Sequence, residues 1–144
     1  MLLCLNCYEL FDEKCLDFDY NRDYNWCPKL DCGGDLIQVD ELFVPIIIEL
    51  NKKGYMTHYC CSGHIHEGHC GGISSYIWFY PDNNVKDIIK NNLPKNYKFD
   101  YGNDGGVDIN RIFNSKLPKD KLLQEVCKNA IEMIKWAKKL PKLY

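Results

Sequence analysis

The sequence lacks a long hydrophobic run. Its longest uncharged apolar stretch, residues 42–48, is far too short to cross a bilayer, because a membrane-spanning helix needs about 20 apolar residues. The first six residues contain no basic segment, no extended apolar stretch and no small-residue cleavage site, so a secretory signal peptide is not expected. These absences predict a cytoplasmic protein that has no membrane partner.

Arginine is almost missing too, with Arg22 and Arg111 as its two occurrences. The formal net charge is −2, and residues 1–49 carry eleven acidic side chains against three basic ones. Contacts to nucleic-acid phosphates need concentrated positive charge. The eight lysines in residues 116–144 are therefore interpreted mainly as the solvated face of a terminal helix, and nucleic acid is not the favoured partner.

The chain of 144 residues is predicted to form a small N-terminal module, 1–39, followed by one α+β domain, 40–144. The module is rich in Cys, Asp and Asn, and is expected to form loops around a metal that end in a strand at 36–39. In the domain, the hydrophobic periods predict the order α-β-β-α-β-β-α, with an antiparallel sheet and a long final helix near 119–140. Asp40 is expected to cap the first helix, whose buried face would include Leu42, Phe43 and Ile46. The alternative is a helix that begins at Pro45, since proline is disfavoured inside a helix.

Two short-spaced cysteine pairs stand near the N-terminus: Cys4 with Cys7, and Cys27 with Cys32. In a reducing compartment such pairs are typical of metal sites rather than disulfides. Two turns that each supply two sulfurs complete the tetrahedral shell of a zinc ion, and a closed four-thiolate site stabilises a fold. The run 27–34 resembles the second knuckle of a zinc ribbon, so zinc is the predicted cofactor. Cys15 is an alternative ligand, and free thiols are the simpler interpretation.

A second cluster lies in residues 55–72, which contain all four histidines of the chain and three of its cysteines. One interpretation is a second metal site, with ligands drawn from Cys60, Cys61, His64, His66, His69 and Cys70. Another is a ligand-binding turn, in which Ser62 and Gly63 expose backbone N–H groups to an anion. In that turn Cys61 would act as a nucleophile with His64 as its base. A polar surface loop with buried structural cysteines is the third interpretation.

Residues 27–80 resemble a group of small phage and low-GC bacterial proteins. The shared pattern is a ribbon-like start, a helix, the turn 60–64 with the sequence Cys-Cys-Ser-Gly-His, and a strand over 76–79. The Cys-Ser-Gly part is also similar to the tRNA wybutosine-synthesis methyltransferases, which have Arg at the position of His64. That similarity implies an enzyme acting on a nucleotide or nucleic acid.

The favoured hypothesis is a non-enzymatic, zinc-stabilised binding protein, encoded by a phage or mobile element. Its partner would be a host protein or a small nucleotide-like signalling ligand, and an inhibitor of host defence belongs to this class. One alternative is an enzyme that uses the cysteine–histidine loop 60–70 on a nucleotide or nucleic acid. The other is a nucleic-acid-binding zinc-ribbon module.

Overall fold

The computed structural model describes residues 1–15, 25–64 and 73–143, apart from the side chain of Cys15. The fold is α+β, and the order of elements after residue 40 is the predicted α-β-β-α-β-β-α. The strands are β1 (Leu2–Cys4), β2 (Leu10–Phe11), β3 (Leu36–Gln38), β4 (Thr57–Cys61), β5 (Ser74–Phe79), β6 (Lys98–Tyr101) and β7 (Val107–Ile112). The α-helices are α1 (Val44–Lys52), α2 (Asn83–Asn91) and α3 (Lys119–Lys139), and short 3-10 helices cover Glu13–Cys15 and Glu41–Phe43.

The N-terminal segment contains a small antiparallel sheet in the order β2-β1-β3. Its central strand is buried along its whole length, and Leu3 pairs with both Leu10 and Ile37. The sequence predicts only loops before residue 36, and β1 and β2 escape that prediction because strands of two or three residues show no alternating pattern. Leu3 and Ile37 also belong to the main apolar core, so this sheet packs against the rest of the chain.

A four-stranded antiparallel sheet in the order β4-β5-β7-β6 forms the body of the protein. Successive side chains of a strand point to opposite faces. On β5, Ile77 and Phe79 are fully buried in the core, whereas Tyr76 and Trp78 are only partly buried and lie on the other side. The side that carries Tyr76 and Trp78 is called the outer face here.

Helices α1 and α3 cover the inner face of this sheet. Helix α1 supplies Ile46, Ile47 and Leu50 to the core. Helix α3 presents a buried stripe at helical spacing, which consists of Leu122, Val126, Ala130, Met133 and Ala137. Among the described residues, no helix combines the length and the apolar character needed to cross a bilayer.

A buried polar network joins α3 to the inner face. Asn129 is 1% exposed; it donates to the Tyr97 hydroxyl at 2.9 Å and accepts from Arg111 at 3.1 Å. The Ser75 hydroxyl lies 2.8 Å from the same Tyr97 hydroxyl and donates to the Cys61 carbonyl at 3.1 Å. Because buried polar groups that all find partners favour one arrangement, this network fixes the end of β4, where Cys61 lies.

Asp40 precedes the 3-10 helix Glu41–Phe43 but does not cap it. Its side chain makes no hydrogen bond to that turn and instead accepts from the Ser62 N–H at 2.6 Å and from the Ser62 hydroxyl at 3.0 Å. The predicted side-chain cap is therefore wrong, because the carboxylate accepts its hydrogen bonds from a residue that is distant in sequence. Leu42, predicted to be buried, is 41% exposed, whereas Phe43 and Ile46 are fully buried.

Candidate functional sites

The four N-terminal cysteines meet at one point. Two turns bring them there: the Tyr8 N–H donates to the Cys4 carbonyl at 3.0 Å, and the Cys32 N–H donates to the Lys29 carbonyl at 3.2 Å. The Sγ atoms of Cys4 and Cys32 lie 3.6 Å apart, and those of Cys7 and Cys27 lie 3.9 Å apart. All four sulfurs lie within 4.8 Å of one another, so this cluster can hold a metal ion.

Polar hydrogens surround these sulfurs. The backbone N–H groups of Asn6 and Cys7 donate to Cys4 Sγ at 3.4 and 3.5 Å, and the Asn6 side-chain amide donates to Cys32 Sγ at 3.6 Å. Gly34 lets the backbone approach closely, because a Cβ at this position would overlap both Cys4 Sγ and Asn6 Cβ. Such donors stabilise the thiolate form that metal coordination requires.

The thiols of this cluster differ in acidity. A hydrogen bond from the Gly34 backbone lowers the pKa of Cys32 to about 7. Burial raises the pKa of Cys27 to about 12, and burial also raises the pKa of Cys4. Since thiolates are the metal ligands, binding of a cation here releases protons and is favoured by rising pH.

Three further ligand types converge at the end of β4. Asp40, Cys61 and His64 each offer one atom, and these three atoms lie within 4.8 Å of one another. The His64 Nε2 atom lies 3.3 Å from Asp40 Oδ1. The sequence indicates Cys61 and His64 as site residues; Asp40 was expected in another role.

The remaining residues of the second predicted cluster take different places. Ser62 is buried, and its backbone N–H donates a hydrogen bond to the Asp40 carboxylate. Gly63 adopts φ +106°, a conformation that favours glycine. Cys60 packs against the main core on the other side of the strand from Cys61, and burial raises its pKa to about 12. The other predicted ligands lie outside the described residues, namely His66, His69 and Cys70.

The outer face of the four-stranded sheet carries a groove of about 490 Å³. Strands β4, β5 and β7 line it side by side with Tyr59, Ser74, Tyr76, Trp78, Asp108, Asn110 and Ile112. The strand register places Trp78 opposite Asp108 and Tyr76 opposite Asn110. The groove thus combines three aromatic rings with a carboxylate and an amide.

The aromatic rings of the groove are held by their neighbours. Trp78 makes ring contacts with His58 and Tyr80, and the Tyr80 hydroxyl lies 2.7 Å from His58 Nδ1. Burial lowers the pKa of His58, which favours its neutral form. A Cβ at Gly106 would overlap the Trp78 indole, so glycine is required where the β6–β7 turn meets this ring.

Asp108 is the acidic group of the groove. Burial raises the pKa of its carboxyl group, whereas the hydrogen bond from Asn110 Nδ2 to Asp108 Oδ2 at 2.9 Å acts in the opposite direction. The nearby charge of Asp100 raises this pKa further. A half-buried carboxylate that lines a groove together with aromatic rings is a strong hydrogen-bond acceptor for a ligand.

No protein-family model matches the chain, and no curated protein or solved structure matches it either. The functional inference therefore depends on the side chains themselves. The sequence did not predict the groove, although β5 contained a signal for it. This strand has apolar residues on one face and large aromatic residues on the other, and an aromatic face that is not needed for the core indicates a binding surface.

Proposed function

We propose that this chain is a zinc-stabilised, non-enzymatic binding protein that takes a planar ligand of the nucleobase class on its outer face. The observation that carries the proposal is the groove in which Tyr59, Tyr76 and Trp78 stand beside Asp108 and Asn110. The cysteine cluster supports the fold, and the groove supplies the function.

Zinc is the metal that suits the cysteine cluster best. Bonds of about 2.3 Å in a regular tetrahedron place two sulfurs about 3.8 Å apart. The separations of 3.6 and 3.9 Å in the cluster bracket that value. Four thiol ligands close the coordination shell, which is the arrangement of structural rather than catalytic zinc. Among the described residues, the apolar cluster around these ligands is small and has Leu2 and Leu36 as its buried aliphatic side chains. The ion would therefore supply stability that this packing does not.

The chemistry of the groove favours a base over other small ligands. Aromatic rings stack on the π-face of any nucleobase, and each such contact is worth about 1–3 kcal/mol. A groove of about 490 Å³ falls within the range of about 300–1,000 Å³ that is usual for small-molecule sites. Asp108 accepts hydrogen bonds, so it would pair with the exocyclic amino group of adenine, guanine or cytosine. Uracil lacks that group, and its ring N3–H lies between two carbonyl oxygens that repel a carboxylate.

The charge of the groove limits how much of a nucleotide it would hold. Among the described residues that line it, none is Lys or Arg, and Asp108 is acidic. Phosphate groups would therefore find no cationic partner there. We accordingly propose that the groove holds the base and not a polynucleotide backbone. The proposed partner is therefore a small nucleotide-like signalling ligand rather than a host protein.

Calorimetric titration with the four uncharged ribonucleosides tests the proposal. Adenosine, guanosine and cytidine are expected to bind more tightly than uridine. Replacing Tyr59, which is 59% exposed, by Ala removes one stacking surface and is expected to weaken binding about 5- to 150-fold. Tyr101→Ala is the matched control, because Tyr101 is 58% exposed on the same sheet but does not line the groove.

The control variant is expected to bind like the unmodified protein. Equal losses in Tyr59→Ala and Tyr101→Ala would show that the effect does not come from the groove. Absence of binding to all four nucleosides would refute the proposed ligand class.

A further inference from the structure

We propose that Asp40, Cys61 and His64 form a second zinc site, one that keeps an open coordination position. This inference goes beyond the proposed function, since it depends neither on the ligand of the groove nor on the cysteine cluster near the N-terminus. It assigns a common role to a carboxylate, a thiol and an imidazole that come from two separate segments of the chain.

The distances match a coordination shell. Zinc bonds of about 2.0–2.1 Å to nitrogen and oxygen give a tetrahedral edge of about 3.3–3.4 Å. The His64 Nε2 to Asp40 Oδ1 distance is 3.3 Å. The ligand atom of Cys61 lies within 4.8 Å of both, so rotation of its side chain can bring it to the third corner of the tetrahedron.

The same geometry disfavours a cysteine nucleophile with a histidine base. In a catalytic triad the two ring nitrogens of histidine face different partners, one the nucleophile and one the carboxylate. Here one ring nitrogen of His64 lies within 4.8 Å of both the thiol and the carboxylate. Three ligand atoms that face a common point are the arrangement of a metal site.

The carboxylate of the proposed site is fixed in orientation. Asp40 Oδ2 accepts from the Ser62 N–H at 2.6 Å and from its hydroxyl at 3.0 Å, and Ser62 is 4% exposed. Oδ1 is thereby directed toward His64. Hydrogen bonds from outside the shell that orient a ligand in this way are a regular feature of metal sites.

The backbone between the ligands is specialised as well. Gly63 has φ +106°, and this turn of the backbone brings the His64 side chain to within 3.3 Å of the Asp40 carboxylate. A Cβ on Gly63 would lie 3.2–3.4 Å from side-chain atoms of Phe113, Ile73 and Val126, closer than ordinary packing allows. The turn is therefore packed against the body of the protein.

The fourth coordination position would be accessible. The side chain of His64 is 44% exposed and that of Asp40 is 22% exposed. Cys61 pairs with Tyr76, which lines the groove, so the ion would lie at one end of the groove. Three protein ligands and one open position are typical of zinc ions that bind water or a ligand atom.

The test is zinc stoichiometry of the full-length chain, measured by equilibrium dialysis against buffered free Zn²⁺ with elemental analysis. Two zinc ions per chain are expected. Asp40→Asn, Cys61→Ser and His64→Ala are each expected to retain one, and Asp40→Asn preserves an oxygen that accepts from Ser62. Cys127→Ser is the matched control, since this partly buried thiol on α3 belongs to neither cluster, and it is expected to keep both ions.

A further variant addresses the orientation of the carboxylate. Ser62→Ala removes one bond to Asp40, and it is expected to weaken the second zinc about 10- to 100-fold without affecting the first. Binding of a single zinc by the unmodified protein would overturn the proposal, and this count needs no variant to fold. A second zinc that persists in both Asp40→Asn and His64→Ala would overturn it equally.

Discussion

Replacing Asp108 by Asn should weaken ligand binding but stabilise the unliganded protein. The proposed role of the carboxylate is to accept a hydrogen bond from the ligand, whereas its ionisation lowers the stability of the free protein. The amide retains the size of the side chain, and its oxygen can still accept the hydrogen bond from Asn110. Hydrogen bonds to a charged acceptor contribute about 1.5–3 kcal/mol and those to a neutral one about 0.5–1.5 kcal/mol. The variant is therefore expected to lose about 1–1.5 kcal/mol, or about five- to tenfold in affinity, for amino-bearing nucleosides and little for uridine.

The stability of the unliganded protein should change in the opposite direction. Burial raises the pKa of Asp108 in the folded state, so the folded protein binds this proton more tightly than the unfolded chain does. Ionisation of Asp108 consequently lowers stability once the pH exceeds the pKa of the unfolded chain, and the loss is complete above the folded pKa. Asp108→Asn removes that loss, and is expected to raise the urea midpoint at about pH 8.

Paired urea titrations from about pH 8 down to about pH 3.5 provide the assay, because this range extends below the ordinary pKa of an aspartate, about 3.9. The stability advantage of Asp108→Asn should be largest at the upper end and should shrink as the pH approaches the raised pKa of Asp108. A variant that is less stable than the unmodified protein at about pH 8, or an advantage that does not vary with pH, would refute this reasoning. Unchanged selectivity between adenosine and uridine would refute the assigned contact.

Two other predictions concern the supports of the fold. Lys53, whose side chain is 16% exposed, donates to the carbonyls of Ala137, Lys138 and Leu140 at 2.7–3.0 Å, so Lys53→Met should destabilise the protein by about 2–3 kcal/mol in urea titrations; an unchanged midpoint would mean that water satisfies these carbonyls equally well. If the cysteine cluster holds the proposed zinc, a chelator should abolish hydrogen-exchange protection in β1 and β3 while β5 and β7 stay protected. Equal protection with and without chelator would exclude a structural role for the proposed metal.

The order of elements after residue 40 could be predicted because each of these elements carries its own local signal. Helix α3 shows an apolar stripe at helical spacing, and α2 begins directly after Asp82, which caps it by accepting from the Asn84 and Val85 N–H groups. The convergence of the cysteine pairs was likewise predictable, because a short spacing places two sulfurs on one turn.

Asp40 shows why local rules fail at a site. Its position before a helix predicts a cap, because the backbone N–H groups two or three residues later are the usual partners of such a side chain. The observed partner, Ser62, lies 22 residues away and provides two hydrogen bonds. No local pattern reveals that β4 ends beside Asp40, because this follows from how the sheet packs on the helix.

The groove could not be predicted for the same reason. Tyr59, Trp78 and Asp108 lie on three different strands, and they become neighbours only through the order β4-β5-β7. Strand order depends on long-range pairing, which the period of one strand does not specify. The alternation within β5 predicts two faces, but not which residues of other strands stand next to them.

The decisive measurement is where on the protein a nucleoside binds. We would titrate adenosine into ¹⁵N-labelled, zinc-loaded protein and follow the backbone amides together with the Trp78 indole N–H. We expect saturable shifts concentrated in β4, β5 and β7 around Tyr59, Trp78 and Asp108, with the amides of α3 unaffected. Shifts centred on the lysines of α3, or no shifts at saturating adenosine, would contradict it.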